Sequence, residues 1–182
     1  LAVSVTYVVD ASLSMRKSFG ELALSKIDVV RETLIQAIPK IVEKNNYYIG
    51  LVIFYKYAFP LLAPTKDVRS IVNAFSRIRV LGEGSAPGNG LIEAVKVMRW
   101  NRGSKRVIMI TDGGFNEGVP LDIAAIYAGS SGIKLHIIII GGKLTDTDSI
   151  YIDRAIEACN GGKYVVNDRV QLVQALYKAT LS

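Results

Sequence analysis

The sequence predicts an α/β domain: a doubly wound, mostly parallel sheet of six strands, one of them antiparallel at an edge, with helices on both faces. Three observations carry this expectation. Runs of β-branched and apolar residues alternate along the chain with stretches of helical periodicity. One connection, at Lys56 and Tyr57, is too short for a crossover helix and marks a hairpin. Half of the 182 residues are hydrophobic, enough for one well-filled core and a single domain over residues 1–182.

The elements follow in order. Residues 3–9 are β-branched and apolar and end at Asp10. Residues 25–44 carry Ile27, Val30, Leu34, Ile38 and Ile41 on one helical face, with Pro39 expected to kink or end the helix. Residues 48–55 read as a buried strand and 58–63 as a second one, placed at an edge by Pro60. Thr65 is expected to cap a helix bearing Val68, Ile71, Val72, Phe75 and Ile78. A glycine-rich loop, residues 82–90, precedes a helix marked by Leu91, Ala94, Val95 and Met98. Residues 107–111 form a strand that ends at Asp112, and 121–128 a helix of small residues. Residues 133–140 give the strongest strand signal. Helix 150–158, strand 163–166 and helix 170–180 close the domain.

Composition excludes several classes. A chain this apolar is not disordered. Its longest apolar runs are far too short to span a bilayer, and no charged-then-apolar leader precedes the first strand. The chain opens on Leu1 rather than Met, as expected of a piece of a longer parent. The net charge of +6 is spread along the chain without a basic run, which argues against a dedicated nucleic-acid binder. The single cysteine, Cys159, forms no internal disulfide and is expected to be buried on a helix; this favours a cytoplasmic setting.

Two carboxylates terminate strands, Asp10 and Asp112. In a 3-2-1-4-5-6 strand order the first and fourth strands are neighbours where the winding reverses, so both carboxylates are expected in one crevice. Ser12 and Ser14 follow Asp10 at alternate positions, which in an extended segment point the same way. Two facing carboxylates repel unless a cation lies between them, and Mg²⁺ suits an all-oxygen set.

These residues carry a resemblance. Asp10-x-Ser12-x-Ser14, followed much later by Thr111-Asp112-Gly113, resembles the metal-ion-dependent adhesion site, or MIDAS, of the von Willebrand factor type A (VWA) family. That family has a Rossmann-like fold. Its third motif is a Thr in a loop before a helix; here Ser85 stands at that place, keeping the hydroxyl. The resemblance implies that Ser12, Ser14 and Ser85 coordinate the ion directly, and that Asp10 and Asp112 bind it directly or through water. The expected ion is Mg²⁺, with Mn²⁺ or Ca²⁺ as alternatives. A metal held mostly by neutral ligands stays electrophilic and takes a carboxylate from outside. The implied function is a protein-interaction module that binds an Asp or Glu of a partner protein, as an intracellular adaptor or regulatory subunit. Arg16, Lys17, Glu83, Phe115, Asn116 and Glu117 are expected on the surrounding rim.

Other readings are weaker. One histidine excludes an HExxH zinc site, and no phosphate-cradling loop or nucleophile elbow is present, so no enzymatic activity is expected. Mg²⁺-dependent phosphoryl transfer at Asp10 would need a second acid where Ser12 stands. His136 reads as a hydrogen-bonded core residue. Asp148 is expected as a helix cap, with a second Ca²⁺ site involving Asp146 as the alternative. Arg99, Trp100, Arg102, Lys105 and Arg106 form a basic group at the other end of the sheet, with Trp100 expected to tuck onto the core. It offers a second surface for a phosphorylated partner or nucleic acid.

Overall fold

The computed structural model describes residues 1–21, 23–142 and 144–182. It contains strands β1 (Val3–Asp10), β2 (Tyr47–Phe54), β3 (Ala58–Thr65), β4 (Ser104–Thr111), β5 (Ile133–Ile140) and β6 (Lys163–Val166). Its helices are α1 (Lys26–Lys44), α2 (Val68–Phe75), α3 (Pro87–Met98), α4 (Leu121–Ser130), α5 (Asp146–Cys159) and α6 (Arg169–Leu181). The strands form one sheet in the order β3-β2-β1-β4-β5-β6. Only β3 runs antiparallel, against β2. This is the expected doubly wound architecture with its antiparallel edge.

Alternation along the strands divides the core in two. Val5, Tyr7 and Val9 of β1 face α1, α2 and α6, where they meet Leu34, Ile38, Phe75 and Leu176. Val8 of β1 faces the other way with Val107, Met109 and Ile137, against Leu91, Ala125 and Ile152 of α3, α4 and α5. The central strands are thus apolar on both faces, as parallel sheets require. Their solvent-compatible chemistry is confined to the strand ends, and that is where the polar site sits.

Three local expectations need correction. Pro39 does not end α1, which continues to Lys44. Ile38, Ile41 and Val42 are buried on either side of the proline, and this packing carries the helix through it. Thr65 is the last residue of β3, not a helix cap; Asp67 caps α2 by accepting from the Ser70 amide. The glycine-rich loop is shorter than expected, because α3 begins at Pro87. Proline at the first helical position needs no amide partner and is pre-set for the turn. Gly88 and Gly90 then lie inside the helix and let it approach its neighbours closely: a Cβ at Gly90 would press on Val8 and Phe54.

The sheet has two edges, the four-residue β6 and the longer β3. The register of β3 against β2 shifts between Ile49 and Val52, and β3 contains Pro60 and Pro64.

Candidate metal centre

The site forms where β1 and β4 end side by side, at the reversal of the strand order. β1 is paired on both sides, so its last residue, Asp10, is fully buried. One oxygen, Oδ1, accepts from the Ser12 amide at 2.9 Å, and Oδ2 accepts from the Thr111 hydroxyl at 2.7 Å. Burial pushes the Asp10 carboxyl up to about 6; the hydrogen bonds from Ser12 oppose the shift, and the charge of Asp112 adds to it.

Ser12 is extended, but the chain then turns. The Met15 amide donates to the Ser12 carbonyl at 3.0 Å, closing a single 3-10 turn over Leu13–Arg16. Buried Met15 anchors this turn to the core. The expectation of an extended Asp10–Ser14 run is therefore corrected: the turn, not alternation, brings the serines together. Their hydroxyl oxygens lie 3.2 Å apart, and Ser14 donates to Asp112 Oδ1 at 2.9 Å.

The second oxygen of Asp112 accepts from Lys26 Nζ at 3.2 Å. Both side chains are more than nine-tenths buried. Lys26 is the first residue of α1, where a positive charge opposes the helix dipole. It lies against Gly141 and Gly142 after β5; a Cβ on Gly141 would come to 3.0 Å from Lys26 Cε. Sequence reasoning missed Lys26, since a lysine directly after a capping Ser25 reads as the solvated start of a helix. Only the return of β5 over it makes it a buried group.

Ser85 arrives on the segment between α2 and α3. This segment is tied to the first motif by the Leu81 amide donating to the Ala11 carbonyl at 2.8 Å and by a bridge between Ser12 and Gly82. It is tied to the loop after β4 by Asn116, whose Oδ1 accepts from the Ser85 amide at 2.9 Å. The Asn116 and Glu117 amides return bonds to the Ser85 carbonyl, each at 3.1 Å. The Ser85 hydroxyl is buried and has no protein partner among the described residues. An unpaired buried hydroxyl costs about 1–3 kcal/mol. Two buried carboxylates, two touching serine hydroxyls and this unpartnered third one make a hard-oxygen set of the kind that fits Mg²⁺. Among the described residues, no three His, Cys, Asp or Glu side chains gather in a metal-sized cluster, so the set depends on its hydroxyls.

The rim is more varied than expected. Arg16, Lys17, Glu83 and Glu117 are exposed on the loops around the site, and Phe115 is half-buried. Asn116 positions the Ser85 loop with its side chain, a role the sequence did not show. Thr145, not Asp148, caps α5. Asp148 is buried and its Oδ2 accepts from the Gly114 amide at 3.0 Å, so it braces the loop after Asp112; Asp146 is exposed.

At the opposite end of the sheet, Trp100 is 83% exposed rather than tucked onto the core, and the Arg99 guanidinium lies 5.0 Å from its ring centroid. Arg106 leaves this group: it donates to the Tyr47 hydroxyl at 3.1 Å and to the Thr180 carbonyl. His136 is buried, with Nε2 at 2.9 Å from the Ser182 hydroxyl and Nδ1 at 3.5 Å from the Tyr164 hydroxyl. Cys159 is buried on α5 and donates to the Ala125 carbonyl at 3.2 Å.

The sequence profile of the von Willebrand factor type A domain matches residues 5–115, from within β1 to just past Asp112. No curated protein matches the chain. Solved structures share the fold at low identity. An aerotolerance-related membrane protein from Bacteroides fragilis is 20% identical, with a TM-score of 0.77 and 98% of each chain covered. The SpRpn10 VWA domain is 15% identical, with a TM-score of 0.78, covering 100% of this chain and 97% of that one. Proximal thread matrix protein 1 from the mussel byssus, solved with a zinc-occupied MIDAS motif, is 18% identical, with a TM-score of 0.72, 98% of this chain and 44% of that chain covered.

Proposed function

Given that this chain belongs to the von Willebrand factor type A family, a family of protein-interaction modules in general, we propose that it binds a protein partner through a divalent cation held at the ends of β1 and β4. Ser12, Ser14 and Ser85 would hold the ion directly, with Asp10 and Asp112 bound directly or through water. Mg²⁺ is the ion proposed, with Mn²⁺ as its laboratory substitute and Ca²⁺ as an alternative. The observation that carries the reading is the buried, unpartnered Ser85 hydroxyl, on a segment tied through its backbone to the motif that holds two carboxylates and two serines. The zinc-occupied MIDAS motif of the byssus protein supports it, as a case of this fold holding a divalent ion at such a motif.

The cation supplies an electrophilic position that takes a carboxylate oxygen. The chain supplies the rest: Thr111 and the Ser12 amide fix Asp10, Asn116 fixes the Ser85 loop, and Asp148 fixes the loop after Asp112. The Ser14 and Thr111 hydroxyls donate to the two carboxylates, which on this reading serve the ion, and the proposal is binding without turnover. The partner presents an Asp or Glu, and exposed Arg16 and Lys17 favour an acidic surface around it. No described helix is long and apolar enough to cross a membrane. The intracellular setting is proposed on the lone, buried cysteine.

Thermal unfolding with increasing Mg²⁺ or Mn²⁺ tests the reading, with Asp10→Asn as the control. At one hundred times Kd the ion adds about 2.7 kcal/mol, which raises the midpoint by roughly 2–4 °C per kcal/mol for a chain of this size. The rise is expected in the wild type and absent in the variant. Partner capture is expected to be lost with a chelator. A midpoint unmoved by either ion contradicts the metal reading.

A second reading rests on Trp100 and its neighbours Arg99, Arg102 and Lys105, an exposed aromatic among cations. It proposes a phosphate-bearing partner, nucleic acid or phosphoprotein, at that end. Steep weakening of binding with salt, reduced by Arg102→Ala, is its signature.

A further inference from the structure

The charges built into the site do not cancel in the way two carboxylates and a divalent cation would. Asp10 and Asp112 contribute two negative charges, and the Lys26 ammonium, 3.2 Å from Asp112 Oδ2, contributes a positive one. The three side chains are all at least nine-tenths buried, so water screens them poorly. With a divalent ion added, the site carries one excess positive charge. A single carboxylate from outside brings it to neutrality.

Lys26 is also costly where it stands. It is buried, it begins a helix whose dipole repels it, and its stem runs over two glycines that leave room for it. Replacement by an apolar side chain of similar length would remove the cost on the helix but leave Asp112 without its counter-charge.

We infer that Lys26 is a resident cation that sets the coupling between metal and acidic partner. It weakens the ion's hold on the free domain and strengthens the hold of the ion-loaded domain on a carboxylate. The ion and the partner therefore require each other, and by thermodynamic linkage each raises the affinity of the other by the same factor. This inference rests on the metal reading above, and the test separates the two.

Mn²⁺ binding is measured by the loss of its free electron-spin resonance signal for wild type, Lys26→Met, Lys26→Gln and Lys26→Arg. Each is titrated in chloride and in acetate at matched ionic strength, acetate being the carboxylate probe. Circular dichroism establishes folding, and Mn²⁺ is present during refolding. Removing one poorly screened charge is expected to tighten Mn²⁺ binding by about tenfold or more in the two neutral variants. Acetate is expected to tighten Mn²⁺ binding to wild type and Lys26→Arg, and to do so several-fold less in the neutral variants. Should only one neutral variant fold, it carries the comparison alone.

Equal or weaker Mn²⁺ binding in a folded neutral variant overturns the inference while leaving the metal reading in place. An acetate effect of the same size with and without the charge also overturns it. Tighter Mn²⁺ binding by the neutral variants than by wild type, with the larger acetate effect in wild type, supports it. Absence of binding in all four proteins removes the metal reading and the inference together.

Discussion

Asp10 is fully buried at the end of β1 and held at both oxygens. Ser85 is its opposite, an enclosed hydroxyl to which the described protein gives nothing. On the proposed metal reading this group serves the ion and is dispensable for folding. Ser85→Ala is therefore expected to leave the metal-free thermal midpoint unchanged, or to raise it by about 1 kcal/mol equivalent, while weakening Mn²⁺ binding. Thermal unfolding with and without the ion reads both effects; a large loss of stability would mean that the hydroxyl supports the fold instead. The difference between legible and illegible residues is visible here. Asp10, Ser12, Ser14 and Asp112 stand at strand ends in short motifs, and local spacing locates them. Lys26 and Asn116 act through segments distant in sequence, Gly141 and Gly142 in one case and Ser85 in the other. No local pattern distinguishes them from surface residues.

Helices tell the same story through packing. The apolar spacing of α1 was readable, but its passage through Pro39 was not, because the sheet beneath decides whether a helix survives a missing amide. The start of α3 is hidden in the sequence for a related reason: Gly88 and Gly90 suggest a loop until the crowding around them is known. Gly129 on α4 belongs to this class. A Cβ there would run into the Ala158 carbonyl of α5 and reach the Cys159 sulfur. Gly129→Ala gains helix propensity but forces the two helices apart. It is expected to cost about 1–3 kcal/mol in urea unfolding, with Mn²⁺ affinity unchanged because the contact is with the α5 C-terminus, far along the helix from Asp148. A neutral or stabilising result would show that the α4–α5 contact is loose.

For the molecule as a whole, alternating strands and helices point to a doubly wound sheet, since right-handed crossovers leave few alternatives, and the common 3-2-1-4-5-6 order is the one observed. They said nothing about how the chain's last residues are held. His136 on β5 answers this, with Ser182 on one ring nitrogen and Tyr164 facing the other. Burial, with the charges of Lys134 and Arg106 adding to it, pushes the His136 imidazole down from 6.5 to about 4. The unfolded chain therefore binds a proton more readily than the folded one between these values. Stability from this residue is complete above pH 6.5 and is lost as pH falls toward 4, by roughly 1 kcal/mol per pH unit. His136→Gln is expected to flatten that part of the thermal midpoint against pH. An unchanged slope would assign the acid sensitivity to another group.

The outer strand has a consequence for how the protein behaves in a crowded solution. β3 offers its free side to any extended chain that drifts past, and such offers are how native sheets seed fibrils. Pro60 and Pro64 have no amide hydrogen to give, and prolines in edge strands turn that deficient side outward. The register shift beside them adds a bend that a flat incoming strand cannot follow. Pro60, which marks the edge in the sequence, and Pro64 thus guard this side of the sheet. On that flank the domain is spared from gathering copies of itself.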